Sequence, residues 1–471
     1  SSRSSKLVHG GLRYLREGHF ALVREALHER ERLLRSCPHL VRPIPMLMPF
    51  YRSTDGFAAS GASPLPMWFG TVAYSWLAGA STLPGPRRLS PTEAARAFPG
   101  LRTSGLRSAL EFFDAATEDS RLTLANVVAA AEAGARVATY CALEALTPDG
   151  ARLVDTITGD EVRLTVQHVI NATGPAVDAL RRRCGIAADD LTRQSRGSHV
   201  VLAPRAGELA LAAFLPDRRI QFVIPHRDGT ICGTTDVDDP FENEEGGPPA
   251  ADLEYLRAAL DYLLDPAPPP SEYRSAFAGW RTLPKVKGPP GGVNREAFTV
   301  TEPVACGKLH TVVGGKLTTH RSFAERALAR LFGLPPRSPT RSAALPGGDG
   351  PREIGDPLWW RHGSRAPAIW RLAADDLSLA EKLCPHRPFL VAEAVYALRE
   401  QGVVTLADLL LRRLAHAQGP CLERECLARA LALFAREGLP DRGAEEAAGL
   451  LRELVTLRGD LAAWATTVLN P

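Results

Sequence analysis

A buried strand that runs into a glycine pair and a helix is the feature that most constrains this chain. Residues 309–313 read LHTVV, Gly314 and Gly315 follow, and Lys316 begins a helix predicted to reach Phe332. The order strand, double glycine, lysine and helix is typical of α/β proteins, whose binding sites lie at such turns. The sequence therefore predicts an α/β fold with a site here. An ordinary strand-to-helix turn with a glycine cap is the alternative.

The chemistry of this turn favours a flat, electron-rich ligand. A helix N-terminus carries partial positive charge and N–H groups that the helix leaves unbonded. Glycine has no Cβ, so a ring can approach the backbone closely. Lys316 adds a cation, and a reduced flavin carries negative charge that this arrangement would stabilise.

A second polar and glycine-rich stretch opens the chain. Residues 1–14 read SSRSSKLVHGGLRY, with four serines and Lys6 as donors, a glycine pair that permits close approach, and Arg13 as a bidentate phosphate ligand. The alternative is a polar tail that leads into an amphipathic helix at residues 15–36. The tail explains the serines but not the order of lysine, histidine, glycines, arginine and tyrosine.

The middle of the chain predicts strands. Segments 136–146, 152–158 and 161–166 form a β-meander. The apolar strand 168–171 ends on a small-residue loop at 172–175, which suits the carboxyl edge of a parallel sheet.

Three further segments concern the part of the chain on either side of that meander. Residues 119–134 predict a helix with Asp119 as N-cap and Gly134 just past its end. Short strands at 199–203, 219–224 and 230–235 predict an antiparallel substrate domain. Residues 41–66, rich in proline and methionine, are expected to cross between domains.

Residues 67–80, MWFGTVAYSWLAGA, are apolar and aromatic. A core helix is the first interpretation. An interfacial helix that touches a membrane, with Arg87 and Arg88 as a basic flank, is the alternative.

Composition excludes several function classes. The 471 residues allow two or three domains, and a net charge of +3 gives no reason to expect nucleic acid. No apolar run reaches the roughly 20 residues of a membrane span. The eight cysteines form no C-x-x-C pair, which predicts reduced thiols, a cytoplasmic protein and no metal site.

Two side chains in the β-rich part are candidates for chemistry. His199 stands in RGSHVVLAP and Arg281 in AGWRTLP. Residues 233–236, GTTD, end a strand with groups able to orient a neighbour, although an ordinary strand-end turn is favoured for this motif taken alone. Taken alone, such a histidine is more often structural and such an arginine more often forms a surface ion pair.

The order of these motifs resembles one family along nearly the whole chain. RSSKLVHGGLRY, DSRLTLANV, NATGP, RGSHVVLAP, FVIP, GTTD, GWR and GGKLTTHR occur in the order found in FAD-dependent glycerol-3-phosphate dehydrogenases, and AEAVYALRE with TLADLLLRR resembles their helical domain. The resemblance implies oxidation of sn-glycerol 3-phosphate to dihydroxyacetone phosphate, with electrons passed from FAD to a quinone.

The resemblance also implies roles for individual residues. Arg13 and Tyr14 resemble ligands of the substrate phosphate, Arg281 and Lys316 the catalytic cations that also bind substrate, and His199 the catalytic base. The residues that resemble flavin contacts are Ser4, Ser5, Lys6, Leu7, Gly10, Gly11, Val137, Ala172, Thr173, Gly174, Gly314, Gly315, Lys316, Leu317 and Thr318.

The expected architecture has an FAD-binding Rossmann-like domain with an inserted antiparallel β substrate domain, plus a C-terminal all-α domain. Its expected bounds are an oxidoreductase region at 1–335, with the substrate part near 42–112 and 196–300, a linker at 336–351 and helices at 352–471.

The sequence departs from the family pattern in three places. The dinucleotide fingerprint G-x-G-x-x-G is absent, so the chain is expected to be processed or incomplete. His320 stands where the family usually shows tyrosine, and Thr282 where it shows proline.

Three functions stay open at this point. The first is the quinone-linked dehydrogenase, the second a glycerol-3-phosphate oxidase that uses oxygen, and the third a non-catalytic remnant. Peripheral attachment to the inner face of the cell membrane and a homodimer are further expectations that the sequence does not decide.

Overall fold

The computed structural model describes residues 2–11, 14, 18–52, 64–79, 81–205, 207–227, 229–240, 247–286, 296–335, 337–414, 423–439 and 449–450. The strands are β1 (Leu7–Val8), β2 (Val41–Tyr51), β3 (Arg87–Leu89), β4 (Leu106–Thr117), β5 (Cys141–Thr147), β6 (Gly150–Asp155), β7 (Glu161–Leu164), β8 (His168–Asn171), β9 (Thr192–Leu202), β10 (Ala210–Phe214), β11 (Ile220–His226), β12 (Gly229–Gly233), β13 (Val237–Asp238), β14 (Tyr273–Pro284), β15 (Phe298–Val304) and β16 (Gly307–Val313).

The helices of the described residues follow the same order along the chain. They are α1 (Phe20–Ser36), α2 (Pro64–Leu77), α3 (Pro91–Ala97), α4 (Asp119–Glu132), α5 (Val177–Arg183), α6 (Ala250–Leu263), α7 (His320–Phe332), α8 (Trp359–His362), α9 (Ala366–Asp375), α10 (Val391–Glu400) and α11 (Arg424–Arg436). Short 3₁₀ helices lie at Gly174–Ala176, Pro270–Glu272, Leu317–Thr319, Pro339–Arg341, Gly363–Arg365 and Leu377–Ala380, and Asp408–Arg413 form a π-helical turn.

A ten-stranded, mostly antiparallel sheet dominates the first part of the molecule. Its order is β1-β4-β2-β10-β11-β12-β9-β13, with β14 paired to β9 and β3 to β4. One face packs on α6, where Leu253, Leu256 and Leu260 are buried against strand residues. Each fully buried leucine contributes about 1.5–3 kcal/mol relative to exposure.

A three-stranded sheet with the order β15-β16-β8 carries the turn that the sequence singled out. β16 and β8 run parallel, with Thr311 opposite Asn171. Their carboxyl ends are therefore adjacent, and the loops that follow both strands meet at one edge. A separate antiparallel meander, β5-β6-β7, confirms the predicted hairpins, although its first strand begins at Cys141 rather than at residue 136.

The expectation that residues 41–66 merely cross between domains is wrong for its first half. β2 is an eleven-residue strand inside the large sheet, antiparallel to β4 and parallel to β10. Pro43, Pro45 and Pro49 misled the interpretation, because proline lacks a ladder N–H and usually marks an edge strand. Burial of Ile44 and Met46 in the core explains why the strand forms.

The helical region, made of helices α8 to α11, has its own aliphatic core. Ile369, Val395, Leu406, Leu410 and Leu433 are among its buried residues. The predicted capping box is confirmed, since the Asp408 N–H donates to the Thr405 Oγ1 at 3.1 Å and the Thr405 N–H to the Asp408 carboxylate at 3.1 Å. Among the described helices, none is long and apolar enough to cross a membrane.

Candidate active site

Residues 2–11 form a strap, the N-terminal strap, that runs from the large sheet to the N-terminus of α7. Close to its start, the Arg3 carbonyl lies against Gly279 of β14, where any Cβ would collide with it. Its middle pairs with β4 as β1, with Leu7 opposite Ala116. At its far end the His9 N–H donates to the Thr318 Oγ1 at 3.1 Å. One segment therefore joins the two sheets.

A buried ion pair fixes the centre of the strap. The Lys6 Nζ lies 2.7 Å from the Asp119 Oδ1, and the Ser4 hydroxyl donates to the other carboxylate oxygen at 2.6 Å. Burial acts to raise the pKa of Asp119, but Lys6 and the serine hydroxyls outweigh it and hold the pKa below its ordinary value. Lys6 has φ +56°, a left-handed conformation that is uncommon for residues other than glycine.

Asp119 does not cap α4 as the sequence suggested. The N-cap is Glu118, without a side-chain cap bond, and Asp119 is the first residue of the helix. Its carboxylate instead binds Lys6 and Ser4 of the strap. The predicted end of the helix is confirmed, since Ala133 is the C-cap and Gly134 adopts φ +94°.

His199 is buried on β9 beneath the strap. Its Nε2 lies 2.8 Å from the Ser5 hydroxyl, and its ring stacks on Phe277 with centroids 4.8 Å apart. Burial, with Arg281 and Lys6 nearby, lowers the pKa of His199 to about 3. The imidazole is therefore neutral at neutral pH, and the unperturbed pKa that first suggested His199 as a base does not apply in this environment.

Arg281 projects from β14 beside Gly197 of the neighbouring strand. Its Nη2 donates to the Thr234 Oγ1 at 2.9 Å, and its Nη1 lies 3.2 Å from the Asp236 Oδ1. A Cβ at Gly197 would lie 2.6 Å from the Nη1, so glycine is required for the guanidinium to lie here. Asp236 thus orients Arg281, as the GTTD motif suggested.

Lys316 stands at the turn between β16 and α7. Gly314 and Gly315 adopt φ +75° and +109°, which glycine tolerates best, and Lys316 precedes the 3₁₀ turn Leu317–Thr319. The Lys316 Nζ lies 3.6 Å from the centre of the Tyr14 ring, a cation–π contact. Tyr14 and Lys316, both predicted substrate ligands, are brought together.

Three of the predicted flavin contacts follow β8. Ala172, Thr173 and Gly174 lie beside the end of β16, because the two strands are parallel and in register. Gly174 adopts φ +61°, and a Cβ there would meet no atom within 4 Å. The loop therefore leaves open space beside Gly174.

Three other predicted flavin contacts, Gly10, Gly11 and Val137, have different surroundings. Gly10 donates its N–H to the Tyr74 hydroxyl at 2.8 Å, and Gly11 faces the Tyr14 ring and Lys316. Val137 is exposed between α4 and β5. Arg13 lies outside the described residues.

Comparisons with known proteins identify the family of this chain. The family described as FAD dependent oxidoreductase matches residues 1–321, and the C-terminal domain of alpha-glycerophosphate oxidase matches residues 311–438. The glycerol-3-phosphate dehydrogenase of Synechocystis sp. is 30% identical over 464 residues, which cover 88% of this chain and 82% of that protein. The chain belongs to the family of FAD-dependent glycerol-3-phosphate dehydrogenases.

A second relative supports the family assignment, and a solved structure shows the fold. Glycerol-3-phosphate dehydrogenase 2 of Mycobacterium bovis is 31% identical over 445 residues, with 88% of this chain and 74% of that protein covered. A crystal structure of the glycerol-3-phosphate dehydrogenase of Bacillus halodurans complexed with FAD has a TM-score of 0.72 at 21% identity, over 97% of this chain and 87% of that one. The predicted α/β fold with a C-terminal helical region is confirmed.

The dehydrogenase family uses FAD, and the described residues fit its flavin end. The glycine turn at Gly314 and Gly315, the open loop at Gly174 and the N–H groups at the start of the 3₁₀ turn present backbone to one edge of the small sheet. Lys316 places a cation there. The dinucleotide fingerprint does not occur in the sequence, so these residues would hold the flavin rather than the pyrophosphate.

Sequence reasoning missed two residues that shape the site. Asp119 was assigned a helix cap, although it lies in the family motif DSRLTLANV and pairs with Lys6. Phe277, which stacks on His199, lies opposite it in the β9–β14 ladder, and only the strand register reveals that neighbour.

Proposed function

We propose that this protein oxidises sn-glycerol 3-phosphate to dihydroxyacetone phosphate and passes the electrons to a quinone. One observation carries the proposal: the N-terminal strap contacts β14 near Arg281, His199 on β9, and the turn that bears Lys316. One segment therefore contacts the strand that bears Arg281, the neutral imidazole of His199 and the turn that bears Lys316. We call that last turn, at residues 314–318, the flavin turn.

The cations suit a phosphorylated substrate. A phosphate dianion leaves water readily only where several positive charges replace its hydration. Arg281 and Lys316 supply two, and the resemblance assigns Arg13 and Tyr14 to the same phosphate. A neutral polyol would not need this charge.

His199 is the proposed base for the substrate hydroxyl. FAD, when bound, supplies the acceptor for the hydride that leaves the carbinol carbon. The proton must pass to a group within hydrogen-bond reach, and the neutral His199 ring can accept it while Phe277 and Ser5 hold its orientation. A bound dianion would raise the pKa of His199 from its low value, because opposite charge favours the imidazolium.

The surface of α2 favours a membrane-borne quinone as the acceptor. Leu65, Phe69, Val72 and Trp76 repeat along one face of the helix and are exposed, Phe69 by 65% and Trp76 by 80%. Such a stripe is typical of helices that lie in a membrane interface. The buried face of α2 carries Tyr74, which accepts the Gly10 N–H and so ties this surface to the strap.

The basic flank predicted for this helix is weaker than the sequence suggested. Arg87 lies on β3 and pairs with Glu111, with its Nε 2.9 Å from the carboxylate. Apolar insertion rather than charge would therefore dominate the membrane contact.

A second candidate function rests on the C-terminal match. The matched C-terminal family is named after an oxidase, so oxygen is the alternative electron acceptor. Activity with a soluble quinone analogue but without oxygen consumption is expected. Peroxide formation at the same rate as substrate oxidation would favour the oxidase instead.

The decisive experiment is an anaerobic titration of the purified full chain. FAD is added, excess is removed, and the oxidised flavin absorbance is followed as sn-glycerol 3-phosphate is added. We expect bleaching by this substrate and not by glycerol. Retained flavin without bleaching would overturn the substrate, and failure to retain flavin would favour the non-catalytic alternative.

The membrane contact has its own test. Flotation with vesicles of neutral phospholipid should carry the protein, and the double variant Phe69→Ser, Trp76→Ser should lose at least about tenfold in binding. Trp370→Ser, which changes an exposed tryptophan of α9, is the matched control and should bind like the unchanged protein. Equal binding by all three would contradict a role for α2.

A further inference from the structure

The helical region contains a cluster of thiol and imidazole side chains away from the active site. Cys384 and His386 lie in the loop after the 3₁₀ helix Leu377–Ala380, and Cys426 lies in the first turn of α11. One ligand atom from each residue lies within 4.8 Å of the other two. Cys384 is 0% and Cys426 7% exposed, while His386 is exposed at the surface.

We propose that Cys384, His386 and Cys426 bind a zinc ion. With Zn–S bonds of about 2.3 Å and Zn–N bonds of about 2.0–2.1 Å at tetrahedral angles, a sulfur and a nitrogen ligand lie about 3.6 Å apart. The Cys384 Sγ and the His386 Nδ1 are 3.6 Å apart. The two residues that approach through the loop already have the separation that one shared ion requires.

The kinds of ligand select the metal. Thiolates with an imidazole suit zinc, whereas magnesium and calcium take oxygen ligands. Binding displaces one proton from each of the two thiols to solvent, so the two thiolates balance the charge of the ion. The N-terminus of α11 adds a partial positive charge beside Cys426, which favours its thiolate form.

Glu423 stands where a second coordination layer is expected. Its Oε1 lies 3.5 Å from the His386 Nε2, the ring nitrogen that does not face Cys384. Histidine ligands of zinc commonly present their other nitrogen to a carboxylate, which fixes the tautomer and the ring orientation. Glu423 is the N-cap residue of α11, so the same short segment supplies a ligand and its support.

The surrounding contacts hold the two halves of the cluster in place. The loop is closed by a β-bridge between Lys382 and Leu390. Arg429 of α11 donates to the Lys382 carbonyl at 2.8 Å and pairs with Glu381 at 2.7 Å. Zinc would therefore cross-link a loop and a helix that already touch, and it would fasten α11 to the rest of the helical region.

Metal analysis of the purified full chain tests the site. We expect about one zinc per chain after exchange into metal-free buffer, and less than about a tenth of that in Cys384→Ser and in Cys426→Ser. Cys184→Ser is the matched control, since Cys184 is a half-buried thiol at the end of α5. It should keep its zinc.

A second variant and a spectrum guard against loss of folding. His386→Ala removes an exposed side chain and should weaken zinc binding without changing the circular dichroism. Cobalt(II) added to the metal-free protein should give a thiolate-to-cobalt charge-transfer band that both cysteine variants lose. Three results would overturn the proposal. The first is that the purified protein contains no zinc and takes up no added equivalent of Zn²⁺. The others are that the cysteine variants retain the metal, or that the purified protein contains a Cys384–Cys426 disulfide.

Discussion

The N-terminal strap and the helical region solve the problem of buried charge in different ways. In the strap the Lys6–Asp119 pair is bound by serine hydroxyls and lies close to His199. In the helical region Glu393 is fully buried but carries Arg361 and His362 at once, beside an aliphatic core. The strap places charge where chemistry is proposed, whereas the helical region uses it to join elements of structure.

The largest effect is expected where the helical region relies on charge. In Glu393→Gln, Arg361 and His362 lose a carboxylate that binds both at 2.7–2.8 Å, so the free energy of unfolding should fall by about 3–5 kcal/mol. Urea unfolding followed by circular dichroism measures it. The control Glu400→Gln changes an exposed carboxylate of α10 and should stay within about 0.5 kcal/mol of the parent.

The same contact has a pH signature. Burial acts to raise the pKa of Glu393, but hydrogen bonds from His362 and Arg361 outweigh it and lower the pKa to about 2, from 4.5. Burial lowers the pKa of His362 from 6.5 to about 4. Both folded-state values lie below the unfolded ones, so stability is full above pH 6.5 and falls as the pH drops to 4 and below. Stability that rose on acidification would contradict this environment.

The next largest effect should appear in activity rather than in stability. Lys316→Ala removes the cation at the flavin turn, and kcat/KM for sn-glycerol 3-phosphate should fall about 10²–10³-fold. Lys308→Ala changes an exposed lysine on β16, the strand that precedes this turn, and should leave kcat/KM unchanged. An equally small change of kcat/KM in both variants would contradict a role for Lys316 in the active site.

A smaller effect should follow from moving the strap without touching its charges. In Gly279→Ala the new Cβ meets the Arg3 carbonyl, so the strap must shift and kcat/KM should fall about tenfold or more. Gly355→Ala, at a turn with open space around the glycine, is the control. Unfolding curves should superimpose for the parent and both variants, which would separate positioning from stability.

The smallest difference is expected between the two capping boxes. Ser90 caps α3 beside the large sheet, and Thr405 caps the π-helical turn of the helical region. Alanine at either position should lower the free energy of unfolding by about 0.5–2 kcal/mol. If urea unfolding gives the same loss of free energy for both variants, capping contributes equally to the two regions. A loss of more than about 3 kcal/mol at only one cap would show that the regions differ in this respect as well.

Sequence reasoning succeeded where the signal was local. The turn at Gly314 and Gly315, the capping box at Thr405 and the end of α4 at Gly134 each depend on neighbours within a few positions. Proline chemistry is also local, yet it misled the interpretation of β2, because burial of a continuous run of residues, 46–50, in the large sheet overrides it.

Pairings between distant residues could not be obtained in this way. Lys6 meets Asp119 across 113 positions, and Ser5 meets His199 across 194. The cysteine spacing predicted no metal site. Cys384 and Cys426 lie on different elements, and the spacing of His386, one proline after Cys384, is not a zinc-binding pattern that the sequence analysis recognised. Only the packing of α11 on the loop brings the three together.

The reach of the strap has a consequence for how the chain acquires its structure. His9 bonds to Thr318, 309 positions later, and ribosomes add about 5–20 residues per second. About 15–60 s therefore separate the synthesis of these two partners. The strap is made before the partners that it contacts, so its last bond can form only after residue 318 has been translated.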